Sequence, residues 1–227
     1  MENCKSLKTV ARIYTGFSQK FGIPRQSGIV STAMGKIVFE KPFRDYKYIE
    51  GLEEFDYLWL LWDFSLNKEN DGATVRPPRL GGKKHMGVFA TRAPFRPNNI
   101  GLSSVKIESI ELDEKLGPVI NVSGVDMLDG TPIYDIKPYL PYADCHEGAK
   151  GGFADRVVAN IEVDFSEELQ AKLPEKLRRT VVELLRQDPR AAYDKEKERE
   201  YLFSYSGFDI GFIANKDKIV VTKVIEL

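Results

Sequence analysis

The residues best suited to chemistry lie in one rigid polar loop between Thr91 and Asn99. Arg92 and Arg96 alternate there with prolines, and two asparagines close the loop before an alternating apolar segment begins. Each proline fixes its own φ and restricts the preceding residue, so the loop holds its carbonyl and guanidinium groups with little freedom. Rigid polar loops between strands commonly carry binding groups, and we expect a binding site here.

A basic stretch surrounds this loop. No acidic residue occurs between Gly72 and Ile107, although the chain has 34 acidic and 33 basic residues and a net charge of -1. The overall charge attracts no nucleic acid, so such a partner would have to meet a local patch, and its binding would depend on salt. The alternative is a solvated loop whose charges pair with acids elsewhere. The candidate RNA contacts of the stretch are Arg76, Arg79, Lys83, Lys84 and Arg96.

Several sequence blocks resemble the TrmO family, also called YaeB or TsaA. The central block is TRAPFRPNNIGLS at residues 91–103. The others are FGIPRQ from residue 21, GLEEF from 51, VRPPRLGG from 75, DGTPIYDIKPY from 129 and QDPR from 187. Members of the family are S-adenosylmethionine-dependent tRNA methyltransferases built on a β-barrel. The resemblance covers nearly the whole chain.

The resemblance implies an S-adenosylmethionine site made of several short segments. Its residues here would be Pro24, Arg25, Gln26, Ser65, Leu66, Arg92, Leu102, Asp126, Met127, Leu128 and Asp129. The family usually has a histidine where this chain has Ser65, so Ser65 and Leu66 would contribute backbone or packing contacts. A carboxylate of Asp126 or Asp129 would be favourable beside the sulfonium cation. From spacing alone, the segments at 24–26 and 126–130 are equally compatible with ordinary surface turns.

Two aspartates are candidates for the proton acceptor that methylation of an exocyclic nitrogen needs. Asp135 shares one face of an expected strand with Lys137, and the two either form a local ion pair or line the reaction pocket. One positioned acceptor suffices, either Asp135 or Asp129, and the reaction can also proceed largely by alignment. Lys137 is a further candidate RNA contact. Arg190 and Tyr193 are others, with capping and packing as their alternative role.

By resemblance, the activity is methylation of N6 of threonylcarbamoyladenosine at position 37, in the anticodon loop of tRNA. The family works as a homodimer. Two alternatives stay open: a methyltransferase acting on another RNA or a small molecule, and a nonenzymatic RNA-binding module. Donor affinity separates the last from the other two.

Several other classes of site are not expected. The GGKK sequence at 81–84 lacks the P-loop spacing, and no G-x-G-x-x-G follows a strand, which argues against a Rossmann-type methyltransferase. Two cysteines and two histidines are too few for a credible zinc site, including the adjacent Cys145 and His146. Without a signal peptide or an apolar run of membrane length, the chain is expected to be cytoplasmic and independent of membranes.

The elements that position these residues suggest a mainly β, barrel-like N-terminal domain over residues 1–141. A linker at 142–155 and a small α+β module at 156–227 follow. The barrel strands are expected at 9–14, 58–64, 102–112, 119–125 and 131–139, with two more in 28–40 and a strand-like run at 86–91. A phase shift between Val105–Ile107 and Ile110–Leu112 predicts a bulge. In the module, Ser166 and Pro174 begin helices, and strands are expected at 157–165, 201–212 and 218–227.

Overall fold

The computed structural model describes residues 6–68, 72–77, 80–82, 84–155, 161–190, 199–215 and 218–227. Its strands in chain order are β1 (Ala11–Thr15), β2 (Met34–Phe39), β3 (Tyr57–Asp63), β4 (Thr74–Val75), β5 (Met86–Gly87), β6 (Ile100–Asp113), β7 (Gly117–Ser123), β8 (Thr131–Pro138), β9 (Glu162–Asp164), β10 (Glu200–Tyr205), β11 (Phe208–Ala214) and β12 (Lys218–Glu226). The helices are α1 (Pro141–Asp144), α2 (Glu167–Ala171) and α3 (Glu175–Arg186).

Six strands close into a barrel in the order β1-β2-β7-β6-β3-β8, and β8 returns to pair with β1. Every pairing is antiparallel. The remaining long strands form a second sheet in the order β10-β11-β12-β9, which α2 and α3 accompany. The expected mainly β, barrel-like fold with a small α+β module and no Rossmann topology is therefore confirmed. No helix in the described part of the chain is long and apolar enough to cross a membrane.

Alternation along β3 shows how the barrel is filled. Its run from Leu58 to Trp62 is apolar throughout, yet only Leu58, Leu60 and Trp62 are buried. Trp59 points outward, packs on Tyr139 with ring centroids 5.8 Å apart and donates its indole N–H to Asp144 at 2.8 Å. Alternate residues of the apolar run thus fill the barrel interior, while Trp59 packs with Tyr139 on the outside of the barrel.

The start of β6 approaches β3 unusually closely. Gly101 pairs with Trp62, and a Cβ at position 101 would overlap the indole ring. Only glycine fits there without displacing the tryptophan. Further along β6, the register to β7 shifts between Ile107 and Ser109, which confirms the predicted bulge.

The C-terminal module packs directly on the segment that follows β1. The ring of Tyr205 lies 5.0 Å from that of Phe17, centroid to centroid, and Tyr201 stacks on Phe21 at 6.3 Å. The amide of Ser206 donates to the Gly16 carbonyl at 2.8 Å. The barrel and the module are therefore joined by packing as well as by the chain.

Three expected strands differ from the observed ones. Only the second half of 28–40 is a strand, because turns occupy residues 28–33. In the run 86–91, a two-residue strand passes into a 3₁₀ turn at Val88–Ala90. The strand expected at 201–212 is two strands, divided by a turn at Ser206–Gly207 in which both residues have positive φ.

Candidate functional site

The centre of the candidate site is the carboxylate of Asp126, in the turn after β7. The buried Ser103 hydroxyl donates to Asp126 Oδ1 at 2.7 Å and accepts the indole N–H of Trp62 at 3.0 Å. Because the indole N–H can only donate, it directs the hydroxyl proton of Ser103 toward Asp126. The barrel core thereby orients the carboxylate.

The loop at Pro24–Gly28 packs against the same turn. The backbone N–H of Ser27 hydrogen-bonds to Asp126, while the Ser27 hydroxyl accepts the amide of Ser104 at 3.1 Å. The Gly28 amide donates to the Gly124 carbonyl at 2.8 Å. These bonds fix the loop between the β7–β8 turn and the start of β6.

Arg92 joins the rigid polar loop to this cluster. Its Nη1 donates to Gln26 Oε1 at 2.7 Å, and its charge acts on Asp126. Arg92 itself stays exposed. Three of the segments predicted to bind the methyl donor, which contain Gln26, Arg92 and Asp126, therefore meet, and Leu102 precedes Ser103 at their junction.

The electrostatics of the cluster favour a cationic ligand. Burial raises the pKa of Asp126 from 3.8 to about 6, against the hydrogen bonds from Ser103 and Ser27 and the charge of Arg92, which lower it. A desolvated carboxylate is stabilised by any cation that approaches it. The site therefore offers an incompletely compensated negative charge beside polar and backbone donors.

A polar cavity of 430 Å³ opens at the start of β6. Ser65, Asn67, Asn98, Asn99, Ile100, Asp63, Phe64, Tyr134, Leu7 and Pro97 line it. Asn99 donates to the Asn67 carbonyl at 3.2 Å, and its buried Oδ1 has no hydrogen-bond partner among the described residues. Burial and a hydrogen bond to Asp63 raise the pKa of Tyr134. The amide and hydroxyl groups in the lining suit a polar ligand.

Two domain families match this chain along most of its length. Residues 12–145 match the tRNA-methyltransferase O N-terminal domain, and residues 158–227 match the TrmO C-terminal domain. The chain belongs to the TrmO family. The family resemblance of the sequence blocks is thus confirmed.

Relatives of known name support the same assignment to the TrmO family. A protein of Pseudomonas aeruginosa named putative S-adenosylmethionine-dependent methyltransferase RcsF is 43% identical over 205 residues, which cover 86% of this chain and 87% of the relative. The tRNA (adenine(37)-N6)-methyltransferase of Escherichia coli is 39% identical over 194 residues, 82% of each chain. A crystal structure of TrmO from P. aeruginosa superposes with a TM-score of 0.81 at 33% identity, covering 100% of this chain and 99% of that one.

The other predicted donor contacts lie around the Asp126 turn. Asp129 is exposed and accepts the amide of Thr15 at 2.9 Å, while the Met127 carbonyl accepts the Thr15 hydroxyl at 3.0 Å. The Met127 side chain is fully buried in the core, so this residue offers a ligand only its backbone. Leu128 is half-buried, and its carbonyl accepts the Thr131 hydroxyl at 2.7 Å. The turn is therefore held rigidly against the end of β1.

Pro24 is buried and Arg25 is exposed, and both belong to the loop that carries Gln26. Ser65 and Leu66 are exposed, and Ser65 lines the polar cavity. Lys20 holds their segment by donating to the Leu66 carbonyl at 3.0 Å. The predicted donor contacts thus form two groups, one around the Asp126 turn and one beside the polar cavity.

Asp135 and Lys137 lie on the outer surface of β8, where Lys137 Nζ is 2.8 Å from Asp135 Oδ2. A register shift of β8 against β3 leaves Tyr134 unpaired and ends the strict alternation that the sequence predicted. Tyr134, rather than Asp135, therefore lines the polar cavity. The local ion pair is the arrangement observed.

The predicted RNA contacts fall into different environments. Arg76 and Lys84 are exposed, whereas Arg96 is half-buried and donates to the Thr91 carbonyl at 3.1 Å, which braces the loop. The prediction that Arg190 contacts RNA is wrong. Its side chain is 0% exposed, since it pairs with Asp188 inside the module. Arg79, Lys83 and Tyr193 lie outside the described residues.

Sequence reasoning gave no role to Ser27, Ser103, Asn99 or Tyr134. Ser103 ends the family block at 91–103 and lies at an inward-facing position of its strand. A serine at such a position needs a hydrogen-bond partner, and this could have indicated its role. The importance of Tyr134 depends on the β8 register shift, which one sequence does not reveal. Among the described residues, no cluster of histidine, cysteine and acidic side chains could hold a metal ion.

Proposed function

We propose that this TrmO-family chain is an S-adenosylmethionine-dependent methyltransferase that modifies N6 of adenine 37 in tRNA. The names of its relatives in P. aeruginosa and E. coli support the donor and the coarse reaction. The finer part of the proposal is the substrate nucleoside, threonylcarbamoyladenosine. Its ureido-like N6–H is more acidic than that of plain adenine, so a weak base can remove the proton.

The observation that carries the proposal is the partly buried carboxylate of Asp126, with a pKa raised to about 6, next to Arg92 and Gln26. S-adenosylmethionine combines a sulfonium cation with a carboxylate, and it supplies an electrophilic methyl group when bound. Asp126 would attract the cation, and the guanidinium of Arg92 suits a carboxylate. These residues fit the donor because Asp126 carries a negative charge for its sulfonium and Arg92 a positive charge for its carboxylate.

The polar cavity beside Ser65 is the proposed entry for the acceptor base. Tyr134, Asn98 and Asn99 line this cavity, and their hydrogen-bonding groups suit the polar edge of a nucleobase. The base must leave its stack to enter, which is least costly in a loop such as the anticodon loop. The chain would then contribute alignment and exclusion of water.

Asp129 and Asp135 stay our candidates for the proton acceptor. Asp129 adjoins the Asp126 turn and is exposed, whereas Asp135 is engaged with Lys137. The geometry thus favours Asp129. A lower rate in Asp129→Asn but not in Asp135→Asn, at unchanged donor affinity, would support this choice.

We further propose a cytoplasmic homodimer. Large apolar side chains are exposed near the candidate site, including Leu66, Phe89 and Leu102, and a second copy could cover them. Light scattering of the purified chain should give twice the monomer mass. A monomeric mass at micromolar concentration would contradict the dimer without affecting the proposed chemistry.

The test of the proposed function begins with calorimetric titration of the chain with S-adenosylmethionine. The chain is then incubated with two tRNA preparations, one carrying threonylcarbamoyladenosine and one with unmodified adenine 37, and the nucleosides are analysed by mass spectrometry. A gain of one methyl group on the modified nucleoside alone supports the full proposal, and a gain on plain adenine contradicts its finer part.

Two other outcomes would favour the alternatives. Donor binding without methylation of either tRNA would indicate a different acceptor. RNA binding without any donor affinity would indicate a nonenzymatic RNA-binding module.

A further inference from the structure

A fully buried ion pair follows α3 in the C-terminal module. Arg190 Nε lies 2.8 Å from Asp188 Oδ1, and Nη2 lies 3.2 Å from Oδ2, so the pair is bidentate. Arg190 also donates to the Ala214 and Asn215 carbonyls, at 3.0 and 2.9 Å. Buried charges are tolerated only when paired and hydrogen-bonded in this way, and removing one partner leaves the other uncompensated.

The same turn has a fixed backbone. Asp188 has a φ of 47°, a left-handed conformation that aspartate tolerates better than most residues. Pro189 fixes the next φ, and the Asp188 carboxylate also accepts the Arg190 amide at 3.4 Å. The orientation of the Arg190 carbonyl is therefore set by the ion pair and the proline together.

That carbonyl points out of the module toward the barrel. It accepts Nη2 of Arg25 at 3.1 Å. Beside this bond, a cavity of 210 Å³ separates the loop residues Pro24 and Arg25 from Gln187 and Pro189. The bond thus spans an incompletely packed part of the junction.

The module also holds both ends of the segment that contains the loop. At one end, the Ser206 amide bonds to Gly16. At the other, the Thr32 hydroxyl donates to Glu183 Oε2 at 3.0 Å, and the Thr32 carbonyl accepts the Thr180 hydroxyl at 3.1 Å. The loop from Pro24 to Gly28 therefore lies between two anchors to the module, and within it Arg25 bonds to the module while Ser27 and Gly28 bond to the barrel.

We propose that the Asp188–Arg190 pair is a positioning unit for the methyl-donor site. It fixes the Arg190 carbonyl, which orients Arg25 and with it the loop that supplies Gln26 and Ser27 to Arg92 and Asp126. The C-terminal module therefore sets donor affinity although its own side chains do not enter the site. The inference rests on the proposed function, because it takes Arg25 as a donor contact.

A double-mutant cycle separates positioning from mere stability. Donor affinity of the full chain is measured by calorimetry, well below the unfolding temperature, for Arg190→Lys, Arg25→Ala and the double variant. We expect Arg190→Lys to weaken donor binding about tenfold alone but less than about twofold in the Arg25→Ala background, since its effect passes through Arg25. Ile219→Val, a buried change within the module sheet, is the control that should leave donor affinity unchanged.

Pro189→Gly covers the case in which Arg190→Lys does not fold. It keeps the ion pair but frees the turn, and it should show the same dependence on Arg25. Additive losses, or unchanged donor affinity in a folded variant, would overturn the inference alone. Absence of donor binding by the wild-type chain would overturn the proposed function and the inference with it.

Discussion

Ser103 donates its hydroxyl proton to Asp126 at 2.7 Å, and this bond connects the barrel core to the candidate donor site. Ser103 is itself directed by the Trp62 indole at 3.0 Å, on the opposite side from Asp126. The carboxylate therefore has a defined orientation before any ligand arrives. Preorganised charges of this kind bind a developing or permanent cation without reorganisation.

Donor affinity should depend on pH through Asp126. Since burial raises the pKa of this carboxyl to about 6, the free chain takes up a proton as pH falls through that value. The neutral form does not attract the sulfonium cation, so affinity should be constant above about pH 7 and fall by up to about tenfold per pH unit below 6. Calorimetry from pH 5 to 8 measures this, with Asp126→Asn as the control whose affinity is lower and lacks this transition.

The same pKa predicts how stability changes without the donor. The pKa of Asp126 is near 4 in the unfolded chain and about 6 in the folded chain. Its contribution to the free energy of unfolding is therefore complete below about pH 4 and is lost as pH rises through about 6. Relative to wild type, Asp126→Asn should therefore gain up to about 3 kcal/mol between pH 4 and pH 8. Denaturant unfolding at both pH values checks this, and an equal difference at both would contradict the raised pKa.

Arg92→Ala should weaken donor binding about 10- to 100-fold, because it removes the bond to Gln26 and a cation next to Asp126. The pKa of Asp126 should rise further in this variant. Affinity for tRNA in the absence of donor should change much less. Loss of tRNA binding with intact donor binding would assign Arg92 to the RNA instead.

The polar cavity predicts a different kinetic effect. Asn99→Ala and Tyr134→Phe each remove one polar group facing the cavity, and each should lower kcat/KM for tRNA about tenfold. Donor affinity measured by calorimetry should stay within twofold of wild type. A loss of donor affinity comparable to the loss in kcat/KM would place the donor, not the acceptor base, in this cavity.

The salt dependence of tRNA binding tests whether the exposed cations of the basic stretch contact phosphates. Lys84→Ala should reduce the slope of log affinity for tRNA against log salt by about 0.7 to 1, the effect of one lost phosphate contact. Lys172→Ala removes an exposed cation of the C-terminal module and should leave the slope unchanged. Equal slopes in wild type and Lys84→Ala would remove Lys84 from the RNA surface.

Gly101→Ala tests the close approach of β6 to β3. The added Cβ would overlap the Trp62 ring, so we expect a loss of about 1–3 kcal/mol in the free energy of unfolding. Gly87→Ala is the matched control, because a Cβ there meets nothing within 4 Å and the φ of −56° suits alanine. Thermal or denaturant unfolding should separate the two variants clearly.

The sequence predicted the features that depend on neighbouring residues. The β6 bulge followed from the changed phase at Ile110, and Ser166 capped α2 as expected, accepting the Leu169 amide. The turn at Ser206–Gly207 was missed, although the buried residues change phase there, from Tyr201, Phe203 and Tyr205 to Phe208, Ile210 and Phe212. The Ser-Gly dipeptide is also a turn signal, so this turn could have been predicted from the sequence.

Features that depend on distant residues were less predictable. The burial of Arg190 requires Asp188 together with carbonyls at 214 and 215 on another strand, and a lone arginine after a helix gives no sign of them. The family resemblance predicted the site as a set of segments, and the fold brings those that contain Gln26, Arg92 and Asp126 together. That these segments form a charged cluster and a separate polar cavity could be seen only in the closed barrel.

Barrel closure also has a consequence for synthesis of the chain. β1 can complete its pairing in the barrel only after β8 has been synthesised, since Ala11 pairs with Ile133, more than half the chain away. Until the ribosome has released β8, the barrel cannot close, and the proposed donor site at the Asp126 turn is incomplete. S-adenosylmethionine would then stabilise only molecules that have completed the barrel, so abundant donor in the cell would select for finished folding.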